Sequence, residues 1–541
     1  MAISLSSNFR MVYTFRNIRY AAPPTGPLRW AKPSPPKPLD PENIQDGSYG
    51  PNCIPAPLPP AFSSPLFDDL PKTADEDIYV PGKVLRDGGQ AKKTLLPVIA
   101  WIHGGGYISG SKDQVLQYGI YNGTNLIQCS NGSVIVVTMN YRLSAFGFLA
   151  GTTMETHALP NAGLHDQRAA LHWIQNYIAL VGGDPSNVSA WGQSAGGASI
   201  MHHLVAHGGT LDPLFRRAVI LSPGFGPAID RRGAIEEEFR SFATAAECAT
   251  EDNDVMTCLR NANISLLKDA NENAFIGGPA PDGWFIRQAV SVEYSQGNIW
   301  NPIQSIIVSH VIDEGSLFLF QNGSNNNSTF LDDYLQSIIP KYAQSGDIIP
   351  RIKALYKTAY PDQDMASAEM AITTIRDVLF TCNIRNVIDA YSSSSSASSS
   401  IGHTRDLSIN PTIYAVQYSL PPGTHGVDVP ALWHTDSLQE SPSPFNNTTS
   451  AANIMKIWTH YQTYLISHAR SRTGNPNTFG DGYNPIEWPT VQPAEYVGNT
   501  LNVTETGDGF EIIDDVQVRM SVSRMWNGVW EDITRLGGYA V

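Results

Sequence analysis

No stretch of this chain reaches the about eighteen consecutive apolar residues that a membrane-spanning helix needs, so no integral membrane segment is expected. Basic residues are few. Lysine and arginine number 35 against 50 aspartates and glutamates, a formal charge of −15, which argues against a nucleic-acid or anionic-membrane partner. Cysteine is sparse, 5 residues in 541, and no C-x-x-C pair occurs. The spacing therefore offers no zinc site, and no metal is expected. Cys248 and Cys258 are ten apart and could close a small loop, whereas spacing suggests no pairing for Cys53, Cys129 or Cys382. Met1 to Arg10 lacks the apolar core of a secretory signal. There is no internal repeat.

What is present is an ordinary globular composition, with 42% apolar and 16% charged residues. There are ten N-x-S/T sequons, at Asn122, Asn131, Asn187, Asn263, Asn322, Asn326, Asn327, Asn446, Asn447 and Asn502. They point to the secretory pathway, against the missing signal, so a cytoplasmic location stays open. Asn187 abuts a strand and is the least suited of the ten to a glycan.

Apolar runs alternate with helical patterns. Strands are expected at Leu96–Ile102, Val134–Met139, Val188–Trp191, Ala218–Leu221, Ser305–Val308 and Thr412–Val416. Helices are expected at Asp166–Ile178, Ala195–His207 and Ile454–Ile466. Near-continuous apolar strands between helices indicate a mostly parallel sheet buried on both faces. The fold class is α/β, read as one large domain over 1–541 with long insertions. Residues 50–72, rich in Pro, Ser and Phe, read as a lid-like loop. Residues 390–402, with the run Ser392–Ser400, read as a flexible surface loop.

The chemistry centres on Gly192-Gln193-Ser194-Ala195-Gly196. It joins a buried strand to a helix opened by small residues, so Ser194 would sit on a sharp elbow with its hydroxyl exposed. The N–H of Ala195 would point to where a carbonyl oxygen gains charge. His103-Gly104-Gly105-Gly106 follows another strand, and its backbone could supply further donors rather than merely a tight turn. A serine also needs a base, and the base an orienting acid. Glu314 lies just past the Ser305–Val308 strand, on the rim expected for the elbow, with Asp313 as its competitor. His425 follows the Thr412 strand across a Pro-Gly turn, with His434 as the runner-up. His202 and His203 are poorer candidates, because the helix after the elbow fixes their direction. The order Ser194, Glu314, His425 is that of nucleophile, acid and base in α/β-hydrolases.

These motifs resemble the type-B carboxylesterase/lipase family, which includes cholinesterases and fungal lipases. Phe15-Arg16-Asn17-Ile18-Arg19-Tyr20-Ala21-Ala22-Pro23-Pro24 is similar to the family's opening segment. Asn161 to Gln167 and Gly182 to Val188 are similar to the approach to the nucleophile strand. The resemblance implies an α/β-hydrolase fold with Ser194 as nucleophile, Glu314 as acid and His425 as base. It also implies an oxyanion hole of Gly105, Gly106 and Ala195, a supporting Ser222, a Cys248–Cys258 disulfide, and Trp284 near the acyl pocket. No cofactor is implied. Fungal members of the family include secreted lipases and esterases of secondary-metabolite pathways.

Two departures stand out. Gln193 replaces the family's usual Glu. Glu76-Asp77 runs straight into Ile78-Tyr79-Val80-Pro81, about five residues short of the family pattern, including a cysteine that would tie Cys53. Losing part of a core strand is expected to cost several kcal/mol of burial. The function expected is hydrolysis of a small or medium apolar ester, with Phe62 and Phe67 lining the mouth of the site. The alternatives are a lipase for long-chain acylglycerols, or a binding protein that keeps the scaffold without catalysis. The partner expected is a small-molecule ester, with oligomeric state left open.

Overall fold

The computed structural model describes residues 2–4, 11–38, 53–56, 76–86, 94–112, 115–116, 119–226, 230–248, 254–272, 278–319, 330–393, 411–434, 451–478 and 485–538. Most of the expected lid-like loop 50–72, with Phe62 and Phe67, lies outside them, as do residues 394–402 of the serine-rich loop.

The strands are β1 (Ala2–Ser4), β2 (Val12–Ile18), β3 (Glu76–Pro81), β4 (Leu96–Ile102), β5 (Val115–Leu116), β6 (Gly119–Ile120), β7 (Ile135–Met139), β8 (Gly183–Gln193), β9 (Arg217–Leu221), β10 (Ser305–Val311), β11 (Thr412–Tyr418), β12 (Gln492–Pro493), β13 (Val497–Val503) and β14 (Phe510–Asp515). β5 and β6 form a small hairpin, and the others form one sheet. Its order is β1-β2-β3-β7-β4-β8-β9-β10-β11-β13-β12, with β14 paired to β13. From β7 to β13 every neighbour is parallel. β1, β2, β3, β12 and β14 join antiparallel at the two ends. All six expected strands fall in the parallel block.

The sequence of β4 shows why this sheet is buried on both sides. Val98, Ala100 and Ile102 pack with Leu171 and Leu204 of the helices Ala162–Tyr177 and Ala195–Gly209. Ile99 and Trp101, pointing the other way, pack with Tyr461 and Leu465 of the helix Ala451–Arg470. An unbroken apolar run is what two-sided burial requires. Among the described residues no helix is long and apolar enough to cross a membrane.

Helix boundaries shift by a few residues from expectation. The helix before the elbow begins at Ala162, because Asn161 turns the chain in the left-handed region (φ 57°). Regular geometry after the elbow stops at Ala206, which is extended (φ −54°, ψ 132°).

The shortened region at 76–81 does not leave the sheet incomplete. β3 runs Glu76 to Pro81, pairs with both β2 and β7, and is buried throughout. Glu76 and Asp77 are themselves drawn into the sheet, opposite Met139 and Thr138. Asp77 meets Lys112 at 2.9 Å, with both side chains buried, and also accepts a hydrogen bond from the Asn17 N–H (3.0 Å). The expected loss of strand burial is thus replaced by the burial of acids, with Asp77 paired to Lys112. Removing one partner of such a pair strands the other charge. Lys112→Met is expected to destabilise the protein by about 3–5 kcal/mol in urea unfolding, and adding Asp77→Leu to recover most of that loss. A double variant no more stable than Lys112→Met would show that the pair is not what the fold depends on there.

Candidate active site

β8 ends at Gln193, and the next helix begins at Ala195. Ser194 between them has φ 55° and ψ −125°, a conformation that non-glycine residues adopt only under constraint. Glycine flanks it for a steric reason. A Cβ on Gly196 would lie 2.0 Å from the Ile102 carbonyl oxygen, and one on Gly192 would lie 2.4 Å from the Gly196 carbonyl carbon. The Ser194 N–H donates to the Leu221 carbonyl (2.9 Å), which ties the elbow to β9.

The hydroxyl points at a histidine. Ser194 Oγ lies 2.9 Å from His425 Nε2, and His425 Nδ1 lies 2.5 Å from Glu314 Oε2. Glu314 is fully buried, and its other oxygen accepts the Val311 N–H (2.9 Å). This fixes the tautomer: Nδ1–H donates to the carboxylate, and Nε2 is free to accept the serine proton. Phe380 (4.7 Å) and Phe318 (5.3 Å) enclose the imidazole. Phe380 is carried by a π-helical turn, Asp377–Thr381, whose Asp377 carboxylate is held by Tyr356, Tyr360, Arg376 and Thr381. Such turns often mark functional sites.

Gly105, Gly106 and Ala195 share one property. Their N–H groups donate to no acceptor among the described residues. Gly105 instead turns its carbonyl to the N–H groups of Ile108 and Ser109 (3.1 and 3.0 Å). The chain here thus combines a hydroxyl, a base, an acid and unspent backbone donors, the parts of an acyl-transfer site.

A family model, Carboxylesterase family, matches residues 3–514. The chain belongs to the carboxylesterase family. It is 42% identical over 510 residues to a secreted lipase of Arthroderma benhamiae, covering 92% of this chain and 91% of that one. It is 27% identical to the carboxylesterase patB of Penicillium expansum, covering 90% and 88%. Among solved structures, Aspergillus niger EstA superposes with a TM-score of 0.73 at 26% identity, covering 97% of this chain and 95% of that one. The fold is the α/β-hydrolase fold, and the protein is a serine carboxylic-ester hydrolase.

Other residues singled out in this carboxylesterase sequence sit as follows. Cys248 and Cys258 are joined, with Cα atoms 5.7 Å apart. Gln193 is buried, with its Nε2 3.3 Å from His425 Nε2. Ser222 is buried and donates its N–H to the Ser309 carbonyl (2.7 Å), but its hydroxyl has no partner among the described residues. Asp313 is turned away from His425 and accepts the Ser316 N–H (3.1 Å). His434 is engaged with Gln462 Nε2 (2.8 Å), and His203 with Gln167 Oε1 (2.9 Å). His202 Nδ1 lies 2.7 Å from the Ala198 carbonyl, and burial pushes the ring down to about 4, so it is neutral.

Trp284 does not face the site. It is 55% exposed, set edge-on against His207 at 4.3 Å. Asp282 Oδ1 accepts the N–H groups of Trp284, Phe285 and Ile286, and this turn directs Phe285 and Ile286 inward and Trp284 outward. A cavity is lined by His202, Phe225, Gln288, Cys382, Asn383 and Trp526 among others. Asn383 Nδ2 donates to the Leu379 and Pro223 carbonyls (2.7 and 3.2 Å).

Sequence reasoning missed the support beneath Glu314. His310 Nε2 lies 2.7 Å from Asp515 Oδ2, and its Nδ1 lies 2.9 Å from the Val311 carbonyl. Burial alone would lower the His310 pKa, but the Asp515 charge and hydrogen bond raise it above the usual histidine value. Asp515 is 205 residues away, and nothing local to His310 announces it.

Gly196→Ala places a methyl group inside contact distance of the Ile102 carbonyl. It is expected to destabilise the fold by about 1–3 kcal/mol and to lower ester turnover. A melting temperature and turnover equal to the wild type's would contradict the close approach of elbow and strand.

Proposed function

We propose that Ser194, His425 and Glu314 are the catalytic residues of this ester hydrolase. The observation that supports this is the unbroken hydrogen-bond chain from Ser194 Oγ through the imidazole to Glu314, beside three N–H groups with no acceptor among the described residues. His425 takes the hydroxyl proton as Ser194 Oγ attacks the ester carbonyl. The oxyanion is held by the N–H groups of Gly105, Gly106 and Ala195. The imidazolium, stabilised by Glu314, then gives its proton to the leaving alcohol. Water, deprotonated by the same histidine, attacks the acyl-enzyme and returns Ser194 to its starting state.

The substrate proposed is a small or medium ester with apolar groups, since Phe318 and Phe380 flank the base and Phe225 lies beside the serine loop. A secondary-metabolite ester is the narrower form of this reading. The lipase alternative is favoured by the 42% identity to a chain named a secreted lipase. A non-catalytic role is disfavoured by the full set of hydrogen-bonded groups. We read 1–541 as one unit, since a single sheet carries all three groups.

The same likeness, with the disulfide, supports a secreted protein. The sequons then divide by structure. Asn131 and Asn263 are exposed at helix boundaries. Asn187 is buried against Arg217, and Asn502 is buried between Ser419 and Glu511. In protein from a eukaryotic secretory host, peptide mapping after glycosidase treatment is expected to mark Asn131 and Asn263. Occupancy at Asn187 or Asn502 would contradict their placement.

Ser194→Ala is expected to lose fluorophosphonate labelling and at least about 1,000-fold in turnover of p-nitrophenyl esters, with the melting temperature unchanged. Glu314→Gln is expected to keep the label but lose about 1,000- to 10,000-fold in kcat. Turnover in Ser194→Ala close to that of the wild type would overturn the assignment. The chain-length optimum, from acetate to palmitate, separates the esterase reading from the lipase reading.

A further inference from the structure

Behind the triad lies a buried acid that ester cleavage, as derived above, does not use. Asp428 comes three residues after His425, immediately before the helix Val429–Trp433. It is fully buried, and neither carboxyl oxygen has a hydrogen bond of good geometry among the described residues. The N–H groups of Asp428 and Val429 act on it without closing a hydrogen bond. Glu314 and His425 face it from the loops after β10 and β11. Tyr418 faces it from β11, Tyr461 from the helix Ala451–Arg470, and Tyr121 from the end of the β5–β6 hairpin. Burial pushes all three phenols far up, so they contribute no charge. The Tyr461 hydroxyl, turned to Ser309, is likewise without a hydrogen bond of good geometry.

The two carboxyl groups are unequally served. Glu314 accepts from the Val311 N–H and from His425, whereas Asp428 has, among the described residues, only the poorly aligned N–H groups of Asp428 and Val429. A carboxylate buried without donors costs several kcal/mol. Two acids sharing one buried place do not both ionise readily, and the proton stays on the one worse solvated. We propose that Asp428 is a positioning residue that keeps a proton beside Glu314 in the resting enzyme and gives the site a second ionisation. When that proton leaves, a second negative charge stands behind His425 and favours its protonated, inactive form. Burial first, and then the Glu314 charge, push the Asp428 carboxyl up to about 7, within the working range of an esterase.

This rests on the reading of Ser194, His425 and Glu314 as catalytic, so one readout is chosen that does not need turnover. Infrared difference spectra of the wild type between about pH 5 and about pH 9 are expected to show a protonated carboxyl band lost near neutrality. Asp428→Asn should lack that band. In kinetics, the acid limb of the wild-type kcat/KM profile should be broader than a one-proton curve, because the two ionisations oppose each other. Asp428→Asn should give a one-proton limb, displaced to lower pH by about half a unit or more. Asp428→Glu should restore the broad limb. The absence of the carboxyl band from the wild type overturns the proposal even if Asp428→Asn fails to fold. An Asp428→Asn profile with the wild type's shape and position overturns it as well. Turnover that survives in Ser194→Ala would instead overturn the triad itself, leaving the infrared result to decide on Asp428.

Discussion

The backbone of Ser194 is the constraint on which the rest of this structure depends. Its φ and ψ cost about 1–3 kcal/mol relative to an ordinary conformation, and a residue stays there only if its surroundings leave it no alternative. The surroundings are the sheet itself. β8 is locked between β4 and β9, the helix after the elbow is pressed so close that Gly196 touches Ile102, and the Ser194 N–H is bonded to Leu221. A parallel sheet buried on both faces is a rigid clamp. The Ser194 hydroxyl is presented by the clamp, while His425 and Glu314 come from loops at the ends of two strands of the same sheet.

Charge tells a second story. A chain with 50 acidic residues keeps most of them in water, yet it buries several, and each has a different answer to its lost solvation. Asp166 has a forked pair of bonds from Arg142, and Glu293 one from Arg287. Asp377 combines Arg376 with three hydroxyls. Glu314 has His425. Each of these acids has donors close by, and Asp428 differs from them in lacking a hydrogen bond of good geometry among the described residues.

How much was legible follows from the range of each interaction. The parallel strands were readable because two-sided burial leaves an unbroken apolar run, as in Val98 to Ile102. The elbow was readable because its steric demand falls on neighbours two residues away. Glu314 and His425 were readable as rim residues because each follows its strand closely, and His425 meets both Glu314 and Ser194 there. The antiparallel flanks were not readable: β3 carries Glu76 and Asp77, which no hydrophobic pattern would assign to a sheet, and Lys112 resolves one of them only in three dimensions. Trp284 misled because an aromatic residue in a turn carries no mark of which way the turn faces. That depends on Asp282 and its three N–H partners.

The strand that carries Glu314 is anchored through His310 to Asp515, at the end of β14 and among the last residues of the sheet. β13 and β14, which complete the sheet beside β11, are also late in the chain. Synthesis therefore delivers Ser194 and Glu314 long before Asp515, the partner of His310. A polypeptide that holds Ser194, Glu314 and His425 but stops short of Asp515 still lacks the carboxylate that pairs with His310.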